Sequence, residues 1–423
     1  MDCEVWAAPA GSGAETAARL RALVPGGLSV REPVAEILAA VRARGDEAVL
    51  AYTRRFDTRG GDPRALRVDR GELQAAAQAH APDVRAGLST AIANLQQVAQ
   101  AGIREDRAVT LHAGHRVILR EAPVARGAVY VPGGRAPYPS TVLMGVVTAR
   151  AAGVGEITVC SPPGPDGEIS AVVLGACHLA GAHTVYRMGG AQAIAALAYG
   201  TETVTAVDVI VGPGNLYTQE AKLQVCGEVG IDGFAGPSDL MVIADRGADP
   251  GPLGADLLAQ AEHGEATIVV ALSPDAGLLD ALHAQLRAAP ATGAIARLVG
   301  VPNAEYALDI AQAFAPEHLE LVGAEAQALA PRITHAGCVF VGRASATAFG
   351  DYVAGSNHVL PTGGAARFAS SLSPGHFRRR FTEVHIGGAA PALARAGAPV
   401  ARAEGFEWHA RSMEARIGDN PQR

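Results

Sequence analysis

The most constraining feature of the chain begins at residue 128, where short β-branched and aliphatic runs start to alternate with stretches of small helix-forming residues. AVYVP (128–132), EITVCS (156–161), TVYRMG (184–189) and VDVIVGP (207–213) are separated by helix-compatible stretches at 140–152, 170–182 and 191–199. DLMVIAD (239–245), ATIVVALS (266–273), LELVG (319–323) and CVFVG (338–342) continue the pattern. Short apolar runs, each followed by a helical stretch, mark parallel strands buried on both faces under crossover helices. Two α/β halves are therefore expected. With 423 residues the chain also exceeds what one hydrophobic core usually serves.

Residues 34–44 and 70–102 carry apolar residues at helical spacing, so everything before about residue 125 reads as a helical wrapper. The stretch 350–375 is rich in Gly, Ser and Pro and reads as a long ordered loop, the kind of segment that often carries function. After Gly387 and Gly388 comes an Ala/Pro/Gly-rich arm and a short helical piece at 406–417, too small to fold alone.

A net charge of −7, with no Lys/Arg-rich face, argues against a nucleic-acid partner. No apolar run is long enough to cross a bilayer, and MDCEVWAAPAGSG lacks the basic-then-apolar pattern of a leader, so the expected location is the cytoplasm. The five cysteines are scattered and form no CxxC pair, which argues for free buried thiols over disulfides or a thiolate zinc site. Lys222 is the only lysine in the sequence. Where arginine replaces lysine almost everywhere, the retained ammonium either does something a guanidinium cannot, such as supporting a cofactor, or is an accidental surface residue.

Candidate chemistry is spread over several segments. Gly212-Pro213-Gly214-Asn215 follows a strand and precedes a helix, but Tyr217 stands where a GxGxxG dinucleotide turn needs its third glycine. QAEHG puts Gln260 and His263 on one face near a helix end, a possible metal edge. Pro316 stops a helix just before Glu317 and His318, a carboxylate and an imidazole able to transfer protons at different pH. GDYVAGSNHVLPT places Asp351, Asn357 and His358 in the long loop, and the tail holds Glu404, Trp408 and His409.

YVPGGRAPYPS (130–140), GGAQAIAALAYGT (189–201), GPGNLYTQEAK (212–222), AGPSD (235–239), QAEHG (260–264), PEHLELVG (316–323), GDYVAGSNHVLPT (350–362) and EGFEWH (404–409) occur in an order and spacing that resembles histidinol dehydrogenase. The resemblance runs from about residue 30 to the tail. It implies two incomplete Rossmann-like α/β domains with parallel sheets, plus small N-terminal and C-terminal helical dimerisation segments. The implied boundaries are an arm at 1–28, a first domain from 29–129 and 239–374 carrying most of the zinc site, an NAD-contacting domain at 130–238, and a dimerisation tail at 375–423.

The resemblance further implies one Zn2+ per subunit, held by Gln260, His263, Asp351 and His409, of which the histidines and the aspartate suit zinc. Ser238, Gln260, His263, His318, Asp351, Glu404 and His409 match the family's substrate contacts, and Tyr130, Gln192 and Asn215 its NAD contacts. The implied reaction is the four-electron oxidation of L-histidinol to L-histidine through L-histidinaldehyde, the last steps of histidine biosynthesis. His318 would serve as base for the alcohol, and Glu317 would activate water for the aldehyde. A homodimer with shared active sites is also implied, Glu404 and His409 reaching into the partner.

The chain departs from the family pattern at two places near the site, Asp239 and Thr347, where the family commonly carries glutamate. The arm before about residue 25 matches no motif. Two other activities compete on paper: oxidation of another small polar alcohol such as a sulfonated diol, which Glu404 disfavours because it suits an ammonium group, and zinc-dependent hydrolysis, which would need no NAD. A catalytically dead binding scaffold would not need the Glu317–His318 pair.

Overall fold

The computed structural model describes residues 1–8, 13–24, 29–133, 136–234 and 236–418. Gly134 and Arg135 of the first motif, Ala235 of AGPSD, and parts of the 1–28 arm lie outside the described residues.

Two wholly parallel sheets carry the fold. The larger runs in the order Asp2–Ala7, Ile295–Gly300, Ile268–Ser273, Asp239–Ala244, His318–Val322, Cys338–Val341. The smaller runs Thr184–Arg187, Glu156–Ser161, Arg126–Tyr130, Val209–Val211, Gly230–Ile231. Every residue of Asp239–Ala244 and Ile268–Ser273 is buried. Such strands have no solvent face, which is why they read as unbroken apolar runs.

Helices 31–101 cover the smaller sheet, not the larger one with which 29–129 was expected to belong. Val34, Ile37, Leu38 and Val41 pack with Ala128, Tyr130 and Ile194, while Leu88, Ala91 and Leu95 pack with Val129 and the helix Pro139–Ala152. The long helix expected over 70–102 is two, Arg70–Ala79 and Pro82–Ala101, because Pro82 forces an extended residue before it and opens a new first turn.

The N-terminal arm is not purely helical. Asp2–Ala7 adds an edge strand beside Ile295–Gly300, and Gly13–Arg21 follows as a helix packed on Ala304–Phe314. Arg297 occupies a buried strand position because Asp2 and Glu4 on the neighbouring strand pair with its guanidinium.

Residues 103–123 and 378–423 form a second compact unit. Its sheet is antiparallel, Arg378–His385 against Arg116–Pro123 against Arg107–Thr110, which corrects the helical reading of the region before residue 125. These strands are largely exposed, so no apolar alternation announced them. The Ala/Pro/Gly-rich arm is also a helix, Ala390–Ala403: Pro391 sits in its first turn, where no backbone donor is lost, and alanines at every second or third position support the rest, although Pro399 removes one internal donor. A second helix, Glu407–Glu414, follows, and the pair buries little beyond Ala398, Ala401 and Ala410.

All five cysteines are free, and Cys226 is exposed where a buried thiol was expected. Among the described residues no helix is long and apolar enough to cross a membrane.

Candidate active site

The proton-transfer candidates sit at the amino ends of two adjacent strands of the larger sheet. Ser238 immediately precedes Asp239–Ala244, and His318 opens His318–Val322, paired in register with Leu240. The chain arrives there from the helix Ala304–Phe314, which ends in a left-handed turn at Ala315 (φ +51°) followed by Pro316. This turn delivers Glu317 and His318 side by side and buried.

Glu317 is gripped from several sides. Its Oε2 accepts from Ser238 Oγ and from the Asp239 amide (3.0 Å), while its own amide donates to Asp239 Oδ1 (2.6 Å). Gln260, in the last turn of Pro250–Ala261, donates Nε2 to Ser238 Oγ (2.5 Å). His318 Nδ1 lies 3.2 Å from the Asp239 carbonyl and 3.7 Å from Glu317 Oε2, and Nε2 lies 3.8 Å from Asp351 Oδ1. A proton on Nδ1 donated to the Asp239 carbonyl leaves Nε2 as the basic nitrogen.

The electrostatics separate the three groups. Burial pushes the Glu317 carboxyl up to about 7, against the pull of His318. Burial works to lower His318, but the Glu317 and Asp351 carboxylates outweigh it and raise the imidazole to about 9. Asp351 is held below the usual carboxylate range: burial pushes it up, and His318, His358 and His263 more than compensate.

Asp351 lies near the end of the short helix Thr347–Tyr352, and the loop that follows is tied down locally. His358, which sequence reading left without a role, places Nδ1 3.0 Å from the Asp351 carbonyl and Nε2 3.2 Å from Thr141 Oγ1. Asn357 donates to the Met144 carbonyl (3.1 Å) and to Thr148 Oγ1 (3.2 Å). Both anchor the loop to the helix Pro139–Ala152.

Among the described residues no three His, Cys, Asp or Glu side chains converge as ligands of one ion. Three of the expected zinc ligands, Gln260, His263 and Asp351, nevertheless belong to the larger unit, and their chemistry fits the metal. The Gln260 amide nitrogen is committed to Ser238, which orients its oxygen as a donor. His263 sets Nδ1 3.0 Å from the Gln260 carbonyl, the backbone contact that commonly fixes a ligating imidazole. The fourth, His409, and the expected substrate contact Glu404 belong to the second unit, where both are exposed and the His409 ring lies 5.2 Å from that of Phe406.

The three expected cofactor contacts come together elsewhere. Tyr130, Gln192 and Asn215 all line one cleft of about 1000 Å³ at the carboxyl ends of the smaller sheet, where open parallel sheets bind their ligands. Tyr130 Oη accepts from the Gly190 amide (3.0 Å), Gln192 Nε2 donates to Asp57 Oδ2 (3.3 Å), and Asn215 Oδ1 caps Leu216–Val225 by accepting from the Thr218 amide (3.1 Å). Asp57 went unnoticed in the sequence; burial pushes its carboxyl up to about 7.

Gly212 opens the GPGN turn at φ +116°, and a Cβ there would meet the Tyr130 carbonyl oxygen at 2.2 Å, so only glycine fits. Lys222 is neither a surface residue nor a lining residue of the cleft. At 1% exposure its Nζ donates to the Gly212 carbonyl (3.0 Å) and pairs with Asp232, whose other oxygen accepts from the Gly212 amide (2.7 Å).

A sequence model of the family described as histidinol dehydrogenase matches residues 27–417. Histidinol dehydrogenase of Parasynechococcus marenigrum is 45% identical over 90% of this chain and 90% of its own length. That of Gluconobacter oxydans is 42% identical over 93% of this chain and 94% of its own length. The crystal structure of histidinol dehydrogenase from Elizabethkingia anophelis superposes with a TM-score of 0.91 at 30% identity, covering 99% of this chain and 98% of that one. The match over most of the sequence and the likeness in fold agree, and the chain belongs to the histidinol dehydrogenase family.

Proposed function

We propose that the chain oxidises L-histidinol to L-histidine through L-histidinaldehyde, with NAD as acceptor and one zinc ion per subunit. The observation that carries this reading is Glu317 and His318 buried side by side against Ser238, Asp239 and Asp351, with carboxyl and imidazole pushed to about 7 and about 9. Two groups tuned apart in this way suit two successive proton transfers.

His318 Nε2 takes the hydroxyl proton of histidinol as the carbinol hydride departs. The Glu317 carboxylate then takes a proton from water as its oxygen adds to the aldehyde carbon, and the hydrate yields a second hydride. NAD would supply the hydride acceptor for both oxidations, and zinc, held by Gln260, His263, Asp351 and His409, would supply positioning and charge stabilisation for the substrate. Ser238, Gln260, His263, His318, Asp351, Glu404 and His409 are assigned to substrate, and Tyr130, Gln192 and Asn215 to NAD. On this reading 130–238 is the cofactor domain and 239–374 carries most of the zinc site.

We further propose a cytoplasmic homodimer in which Glu404 and His409 complete the partner's site. Support comes from the tail itself: it buries almost no core of its own yet exposes Val384, Val400, Phe406 and Trp408.

The test separates the two steps. His318→Ala should abolish oxidation of histidinol, whereas Glu317→Gln should chiefly slow conversion of supplied histidinaldehyde, each by about a hundredfold to ten-thousandfold. Near-normal turnover of both substrates by both variants would overturn the assignment.

A further inference from the structure

Asp239 touches both Glu317 and His318. Its carboxylate Oδ1 accepts from the Glu317 amide (2.6 Å), its amide donates to Glu317 Oε2 (3.0 Å), and its carbonyl faces His318 Nδ1 (3.2 Å). The other carboxylate oxygen accepts from Arg21 Nη1 at 2.7 Å. Asp239 is 1% exposed, so its charge needs this partner; burial pushes its carboxyl up, and Arg21 opposes that most strongly.

Arg21 ends the helix Gly13–Arg21, in the arm that carries no recognisable motif. Besides Asp239 it binds the turn that delivers the catalytic pair. Nη2 donates to the carbonyls of Phe314 (2.7 Å) and Ala315 (3.2 Å), Nε donates to the Phe314 carbonyl (3.2 Å), and the guanidinium lies over the Phe314 ring at 3.5 Å from its centroid. One planar cation thus holds the left-handed turn at Ala315 with two of its nitrogens and the Asp239 carboxylate with the third. The carboxylate passes that constraint directly to the Glu317 amide. A guanidinium can make these bonds together; an ammonium at the end of a lysine cannot.

We propose that Arg21 and Asp239 act as one positioning device that fixes Glu317 and His318 for both oxidation steps, so that the N-terminal helix is part of the catalytic apparatus. The proposal rests on the roles assigned above to Glu317 and His318. Neither Arg21 nor Asp239 handles substrate; they act through where they hold the pair. Displacing a proton-transfer group by about an ångström costs up to about a hundredfold in rate, with little effect on binding. The loss should therefore fall on kcat and spare KM.

The test compares Arg21→Met, Arg21→Lys, Asp239→Asn and the double variant Arg21→Met/Asp239→Asn. Arg297→Met serves as a control, since it removes a buried arginine of the larger sheet that pairs with Asp2 and Glu4 instead. kcat and KM are measured for histidinol, for NAD and for supplied histidinaldehyde, alongside thermal stability. Arg21→Met should lower kcat on both substrates about tenfold to a hundredfold while each KM stays within about threefold. Arg21→Lys should recover part of that loss, and the double variant should be little worse than either single one, because the two residues act as a unit. Arg297→Met should keep its kcat.

Unchanged kcat in Arg21→Met, a change confined to KM, or additive losses in the double variant would overturn the proposal. So would an equal loss of kcat in Arg297→Met at equal loss of stability. If Arg21→Met fails to fold, Arg21→Lys and Asp239→Asn decide by the same kcat-against-KM split. Glu317→Gln and His318→Ala run in parallel: if both stay active, the assigned roles fail, whereas if both are impaired while the Arg21 and Asp239 variants are not, only the positioning device fails.

Discussion

Lys222→Met isolates what the single lysine does. The substitution keeps much of the side-chain volume but removes the donor to the Gly212 carbonyl and strips Asp232 of its counter-charge. Asp232 is only 6% exposed and would keep the Gly212 amide as its remaining bond in this lock. Removing one member of a buried pair costs about 3–5 kcal/mol, mostly the penalty of the stranded charge. Asp232→Asn in the Lys222→Met background relieves that penalty, so the double variant should be at least as stable as Lys222→Met alone. Function should follow geometry: Gly212 packs against the Tyr130 carbonyl, and slack in the turn displaces Tyr130 and Asn215 together. The apparent KM for NAD should rise roughly tenfold, equivalent to about 1.4 kcal/mol, with KM for histidinol unchanged. Chemical denaturation and steady-state kinetics on the parent and the two variants measure both. Stability within about 0.5 kcal/mol of the parent, with KM for NAD unmoved, would refute the lock.

The pH profile and the subunit arrangement offer two further checks. Glu317 must be ionised and His318 neutral, and their values of about 7 and about 9 both lie above the usual ones, so kcat/KM should climb with pH and level off only near pH 9. Because the Glu317 carboxylate is what raises His318 most, Glu317→Gln should move the upper limb to lower pH; a profile flat between pH 7 and 9 would contradict this. Co-expressing His318→Ala with His409→Ala should restore roughly a quarter of all sites if the tails are exchanged, since each mixed dimer then holds one intact site. Verified heterodimers without recovered activity would exclude a shared site.

The central parallel strands were legible because burial on both faces leaves an apolar signature, as in Asp239–Ala244. Strands of another kind were not. Asp2–Ala7 is a sheet edge with charged residues, and Ile295–Gly300 hides Arg297, whose partner Asp2 lies 295 residues away in sequence, with Glu4 beside it. The antiparallel strands near 107–123 face solvent and carry no alternation to read. Around Glu317 and His318, the residues read as candidates lie inside long motifs, whereas Arg21 lies in none. Its partners are a carboxylate at 239 and two carbonyls at 314 and 315, and no local pattern around residue 21 encodes them. Lys222 was conspicuous by its rarity, but only the fold shows that it braces the turn beneath the cleft rather than lining it.

The central claim is that one chain carries out two successive oxidations on one substrate. It is tested by incubating the purified protein with limiting histidinol and excess NAD and counting NADH formed against histidinol consumed. The account predicts a ratio of two, histidine as product, and loss of turnover when a chelator removes the metal. A ratio of one with aldehyde released, or consumption of histidinol without NAD, would contradict it.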